Sequence, residues 1–140
     1  MVNKTLVLEK LNKIKEYLKE IEEIINLKTQ EILKDFRNIK TLERNFQLIV
    51  DEMLDINLHL ISELKLKVPS DFQSSFLIIA SSKILPLKFA QKIAPVVGLR
   101  NKLVHRYEEI DKTFFIKQLK KERKDFIKYI NYINRYLATL

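Results

Sequence analysis

Gly98-Leu99-Arg100-Asn101-Lys102-Leu103-Val104-His105-Arg106-Tyr107 gathers the only glycine, one of two histidines, two of six arginines and a tyrosine within ten residues. An arginine holds a phosphate with a planar fork of donors, and a histidine moves protons near neutral pH. Tyr107 adds a hydroxyl that can act as a nucleophile or accept a modification. Outside this stretch the chain reads as helical scaffold. With one Gly and three Pro in 140 residues, and Leu, Ile, Lys and Glu dominant, the composition is that of long helices, so the fold class is all-α.

Working outward, 140 residues with 46% hydrophobic content suffice for one domain with a real core, residues 1–140, and are too few to argue for two. The absence of cysteine removes disulfides and thiolate metal sites and is compatible with a reducing interior, so a cytoplasmic location is expected. The N-terminus lacks the apolar core of a secretion signal, and the longest unbroken apolar run is Phe76 to Ala80, so neither export nor a membrane span is expected. The net charge of +8 is uneven: residues 1–25 carry five Lys against five Glu, whereas residues 100–140 carry eleven Lys/Arg against five Asp/Glu. That excess would concentrate an anionic partner, nucleic acid or acidic protein, near the Arg/His stretch; it also fits a merely solvated Lys-rich face.

Apolar residues at Val7, Leu11, Ile14, Leu18, Ile21 and Ile25 alternate four- and three-residue steps and predict a long amphipathic helix between Thr5 and Leu27. From Lys28 to Lys40 the period weakens around Ile32, Phe36 and Ile39, which predicts a turn or two of helix and a connection. A second long helix is expected from Thr41, an acceptable cap, to about Lys65, with Leu42, Phe46, Ile49, Val50, Met53, Leu60, Ile61 and Leu64 inward. Asn57 interrupts that stripe. His59, four residues after Asp55, can hydrogen-bond to it across one turn and is a second-rank candidate beside the reading that both are structural. Pro69 ends this helix, and Ser70 with Gln73 predicts a capping box for a short helix to about Ser82, with Phe72, Phe76, Leu77, Ile79 and Ala80 on its face. A fourth helix starts at Pro86 and runs past Arg100, kinked or broken near Gln91 to Pro95. Glu108 to Asp111 reads as a loop, with Asp111 capping a last helix that carries Phe115, Leu119, Phe126, Ile130, Ile133 and Leu137 inward and Lys117, Lys120, Lys121, Arg123 and Lys124 outward. The sum is an up-and-down bundle of four to five helices.

Arg100, Asn101, the histidine at His105 and Tyr107 together resemble the Arg-x4-His-x-Tyr signature of HEPN-domain proteins of the HepT type. The likeness extends loosely over nearly the whole chain. The resemblance implies a helical toxin paired with a minimal nucleotidyltransferase antitoxin, working as a homodimer whose motif helices face a shared cleft. It also implies that Tyr107 is the residue its partner can modify with AMP.

On a straight helix Asn101 and His105 share a face, whereas Arg100 and His105 point roughly 140° apart. One phosphate can touch both if Arg100 reaches around, if the helix loosens, or if the two come from different copies. With RNA in the cleft, His105 would take a proton from a ribose 2′-hydroxyl, Arg100 would stabilise the charge on the non-bridging oxygens, and Asn101 would orient the imidazole or bind phosphate. This chemistry requires no metal and no cofactor, and the sequence offers no convincing metal cluster. Three readings stand: a metal-independent endoribonuclease toxin neutralised by partner binding or AMP transfer; a non-catalytic nucleotide- or partner-binding helical subunit of a nucleotidyltransferase; and a plain nucleic-acid-binding bundle. His105 near a helix end also has a structural role available, against the helix dipole, and Tyr107 could pack on the last helix.

Overall fold

The computed structural model describes residues 1–105 and 110–140, and its described residues form seven helical segments with no strand among them. These are α1 (Lys4–Ile25), α2 (Thr29–Lys34), α3 (Phe36–Glu63), α4 (Ser74–Ser81), α5 (Leu87–Ile93), α6 (Val96–His105) and α7 (Lys112–Leu137). Four rods make the bundle: α1, α3, the α5–α6 pair and α7; α2 and α4 are short connecting pieces. Side-chain bonds fix the directions. Lys10 meets Glu52 and Asp55 while Asn45 reaches Tyr17 and Glu20, so α1 and α3 are antiparallel. Lys120 reaches the Leu27 carbonyl while Arg123 meets Glu22 and Asn26, so α7 is antiparallel to α1 as well.

The apolar stripe of α1 is the predicted one: Val7, Leu11, Ile14, Leu18, Ile21 and Ile25 are all buried. Likewise the six inward positions expected of α7 are buried, joined by Ile116 and Tyr129. These side chains belong to one contiguous core, with Phe46 edge-on to Phe115 and Phe76 edge-on to Tyr129. Asp111 caps α7 through its Oδ1, which accepts from the Phe114 amide at 3.1 Å.

Several boundaries differ from the sequence reading. The long second helix starts at Phe36, not Thr41, because the Asp35 carboxylate accepts from the Arg37 amide and caps it there. Once that cap is in place, Ile39, Leu42 and Phe46 form one helical stripe, and Phe36 is exposed rather than an anchor. The capping box lies at Asp71 and Ser74, one residue beyond Ser70 and Gln73: the Ser74 amide donates to Asp71 Oδ1 at 2.7 Å, and the Asp71 amide donates to Ser74 Oγ at 3.3 Å. With the box moved, Phe72 and Leu77 turn outward while Phe76, Ile79 and Ala80 stay buried. Asp55 and His59 do not pair with each other. Asp55 accepts from Lys10 Nζ at 3.0 Å, and His59 Nε2 accepts from the Asn3 amide at 3.1 Å, which ties the chain start to α3.

Helices α3 and α4 both end on lysines in the left-handed region, Lys65 at φ 54° and Lys83 at φ 63°. Each closes paired backbone bonds, Leu66 to Ile61 with Lys65 to Ser62, and Ile84 to Ile79 with Lys83 to Ala80, the Schellman pattern usually completed by glycine. The sole glycine is used elsewhere, inside α6.

The polar Asn57 is fully buried and satisfied. It donates to Ser75 Oγ at 3.1 Å and accepts from the Tyr129 hydroxyl at 2.6 Å, joining α3, the start of α4 and α7 at one point. Such a group is tolerated in a core only when its hydrogen bonds are made.

Candidate nuclease site

Pro95 breaks the α5–α6 rod, as its missing amide and ring demand. Helix α5 ends at Ile93 and α6 begins at Val96, with three-residue bonds from the Val97 amide to the Ala94 carbonyl and from the Gly98 amide to the Pro95 carbonyl bridging the break. Val96 and Val97 anchor the new helix in the core, and Leu99 and Leu103 pack at its edge. The remaining surface of α6 carries Arg100, Asn101, Lys102 and His105 beside an exposed Val104, and the helix lies along α3. A Cβ added at Gly98 would meet nothing within 4 Å, so this glycine leaves open space one turn from Asn101 rather than serving a turn.

Arg100 lies across the α3–α6 seam. Its Nε donates to Asp51 Oδ1 at 2.8 Å and its Nη1 donates to Asn101 Oδ1 at 3.1 Å. A guanidinium has five donors in one plane, and these two bonds fix the plane while the Nη2 edge makes none among the described residues. The Arg100 side chain is 21% exposed and that of Asp51 33%, so the pair is partly withdrawn from water yet open on one side. Nothing in the sequence singles out Asp51. It is separated from Arg100 by 49 residues and reads there as one more acid on the solvated flank of an amphipathic helix.

His105 is the last residue of α6 and is exposed; four residues earlier, half-buried Asn101 lies on the same side of the helix. The structure therefore joins Arg100 to Asn101 directly and places Asn101 and His105 on a shared face. It keeps α6 helical through His105, so Arg100 turns toward α3 while His105 projects from a different side. Tyr107 and Arg106, together with Glu108 and Glu109 of the expected loop, lie outside the described residues. His59 is committed to the Asn3 amide. Among the described residues no group of three His, Cys, Asp or Glu side chains gathers as a metal site, and no helix is long and apolar enough to cross a membrane.

Several known proteins are similar to this chain. A tRNA nuclease HepT from Aphanizomenon flos-aquae is 32% identical over 140 residues, 99% of this chain and 95% of the relative. An mRNA nuclease HepT from Shewanella oneidensis is 24% identical over 128 residues, 91% of this chain and 96% of the relative. Among solved structures, the tri-AMPylated HEPN toxin of Shewanella oneidensis in complex with its MNT antitoxin superposes with a TM-score of 0.86 at 23% identity, covering 95% of this chain and 98% of that one. The cytosolic protein YutE of Bacillus subtilis, of unknown function, superposes at 0.84 with 17% identity, over 99% and 92% of the two chains. At these identities the superpositions establish the fold. Because the family model described as ribonuclease HepT-like matches residues 14–133, and a relative 32% identical aligns from end to end, the chain belongs to the HepT-like (HEPN) ribonuclease family.

Proposed function

We propose that residues 1–140 form a single HepT-like domain that acts as the toxin of a toxin–antitoxin pair, a metal-independent endoribonuclease. The observation that carries this reading is the clamped Arg100, held by Asp51 and Asn101 with its Nη2 edge left over among the described residues. In the reaction, the ribose 2′-oxygen attacks the neighbouring phosphorus as His105 removes its proton. The bond from phosphorus to the 5′-oxygen then breaks, and a second His105 or a water protonates the leaving oxygen. The products are a 2′,3′-cyclic phosphate and a 5′-hydroxyl. Arg100 Nη2 supplies charge-assisted donors to the non-bridging oxygens, where negative charge builds. Asn101 holds the guanidinium through its carbonyl, and its amide is a further donor for phosphate.

The outward divergence of Arg100 and His105 supports a homodimer, in which the arginine of one copy serves the histidine of the other. The relatives named as tRNA and mRNA nucleases support RNA as the substrate. The superposed toxin, AMPylated and bound to an MNT antitoxin, supports a minimal nucleotidyltransferase partner. Tyr107, two residues beyond His105, is the proposed AMP acceptor: bulk and negative charge there would block RNA and compete for Arg100 and Arg106. A cytoplasmic location completes the reading, supported by the superposed YutE, described as cytosolic.

Purified protein should cut RNA in the presence of a chelator and leave cyclic-phosphate ends. Arg100→Ala and His105→Ala should each lower the rate by at least about a hundredfold, the usual scale for a lost acid–base group or oxyanion donor, with circular dichroism unchanged. If cutting is absent while a nucleotidyltransferase and ATP still label Tyr107, the chain is the non-catalytic partner-binding subunit instead.

A further inference from the structure

The basic excess of the C-terminal region is not spread at random over α7. Lys117, Lys121, Lys124 and Lys128 follow one another in steps of four, three and four, so they form a single stripe along the helix. All four are exposed, and none makes an ion pair or hydrogen bond among the described residues. The other cations of α7 are committed: Lys112 to Glu43, Lys120 to the Leu27 carbonyl, Arg123 to Glu22 and Asn26, and Arg135 to the face of the Tyr132 ring. The acids of α7 point away from the stripe, Asp125 buried against Lys92 and Glu122 half-buried beside Gln118. At the edge of the stripe Lys124 borders an open groove of about 570 Å³ between α7 and α1, whose opposite bank carries Lys15 and Lys19 over a floor of Leu18, Ile127 and Ile130. Glu22, held by Arg123, is the one carboxylate lining it.

We infer that this stripe and groove form a second RNA-binding surface, a track for the phosphate backbone of the substrate apart from the α6 site. The inference rests on RNA being the substrate. Spacing supports it: lysines one turn apart rise about 6 Å along the helix, and the stripe is about 16 Å long, enough to follow several consecutive phosphates. Composition decides between occupants. Specific protein interfaces are depleted in lysine and rich in aromatics and arginine, whereas the groove is lined by three lysines, one arginine and no aromatic side chain. A second copy of the chain is excluded electrostatically, since a two-fold interface would set the same lysines against each other.

The test is a quadruple variant, Lys117→Gln, Lys121→Gln, Lys124→Gln and Lys128→Gln, beside the matching quadruple Lys→Arg variant, with unfractionated tRNA as the probe. Binding is measured in a His105→Ala background, so that no RNA is consumed. The glutamine variant should bind tRNA at least about tenfold more weakly near physiological salt, and the slope of log affinity against log salt should fall by about three, a little under one for each phosphate that no longer meets a lysine. The arginine variant should restore both. With His105 intact, the glutamine variant should show a raised KM for tRNA, kcat within about twofold, and unaltered cleavage of a trinucleotide too short to reach the track. Unchanged affinity and slope would overturn the inference, as would a variant that binds tRNA normally but changes oligomeric state or loses a purified nucleotidyltransferase partner. If the protein binds tRNA through the stripe but never cuts it, the track stands and the nuclease reading fails.

Discussion

Arg100 would be a freely swinging cation on a helix surface were it not for Asp51. The carboxylate at 2.8 Å takes Nε, Asn101 takes Nη1, and the guanidinium plane is set before any substrate arrives. That orientation has an electrostatic cost, because a full negative charge beside Arg100 weakens its pull on a phosphate. The geometry therefore separates two roles of Asp51, and two substitutions distinguish them. Asp51→Asn keeps an acceptor for Nε and removes the charge, so RNA cleavage should stay within a few-fold of the parent. Asp51→Ala removes both, and kcat should fall by about tenfold as the guanidinium loses its fixed position. Folding stability should move by less than about 1 kcal/mol in either case, since the pair is partly solvated, a result that urea titration would check. The motif residues are legible in the sequence because they are neighbours in it, with chemistry that short range can state. Asp51 is not, because Glu52 and Asp55 beside it have the same type and periodicity, and only the docking of α6 selects one of the three.

At the level of the helix, apolar period is a sufficient guide to the buried faces of α1 and α7 and to most of α3. It says nothing of polar residues that turn inward, and α7 carries a seam of them. Gln118 donates to Glu122 Oε1 at 3.3 Å, Glu122 Oε2 is buried without a hydrogen-bond partner among the described residues, and one turn on Asp125 is buried against Lys92. Burial first, and then the Asp125 charge, raises the Glu122 carboxyl to about 7. The unfolded chain has no such effect, so between about pH 4.5 and 7 the folded state holds a proton that the unfolded state releases. Stability contributed by the neutral carboxyl is thus complete below that window and lost as pH rises through it. Glu122 is only partly buried, and solvent screening reduces the effect to on the order of 1 kcal/mol. Glu122→Gln should accordingly gain in Tm relative to the parent as pH goes from 5 to 8, by a few degrees, with the gap flat beyond pH 8. A gap independent of pH would mean that Glu122 is ionised throughout.

For the molecule as a whole, the decisive fact is an angle between two side chains. Because α6 stays helical through His105, the five-residue interval from Arg100 turns them roughly 140° apart. Arg100 is held against α3 while His105 is exposed at the helix end. This outcome is readable from the sequence as one of three possibilities, and the continuous helix removes local unwinding from them. A site built from two copies makes a quantitative demand on mixtures of inactive proteins. In a dimer of one Arg100→Ala chain and one His105→Ala chain, one cleft receives the intact arginine and the intact histidine, and the other receives neither. Random exchange of equal amounts places half of the chains in such mixed dimers, so with a water protonating the leaving oxygen about a quarter of the parental activity should return. A site complete within each chain predicts none, because every cleft then lacks one residue. Denaturing and refolding the two variants together, with co-refolded parent as the standard, separates these outcomes by the rate of RNA cleavage alone. Activity near the quarter mark would place Arg100 and His105 on opposite sides of a two-fold axis.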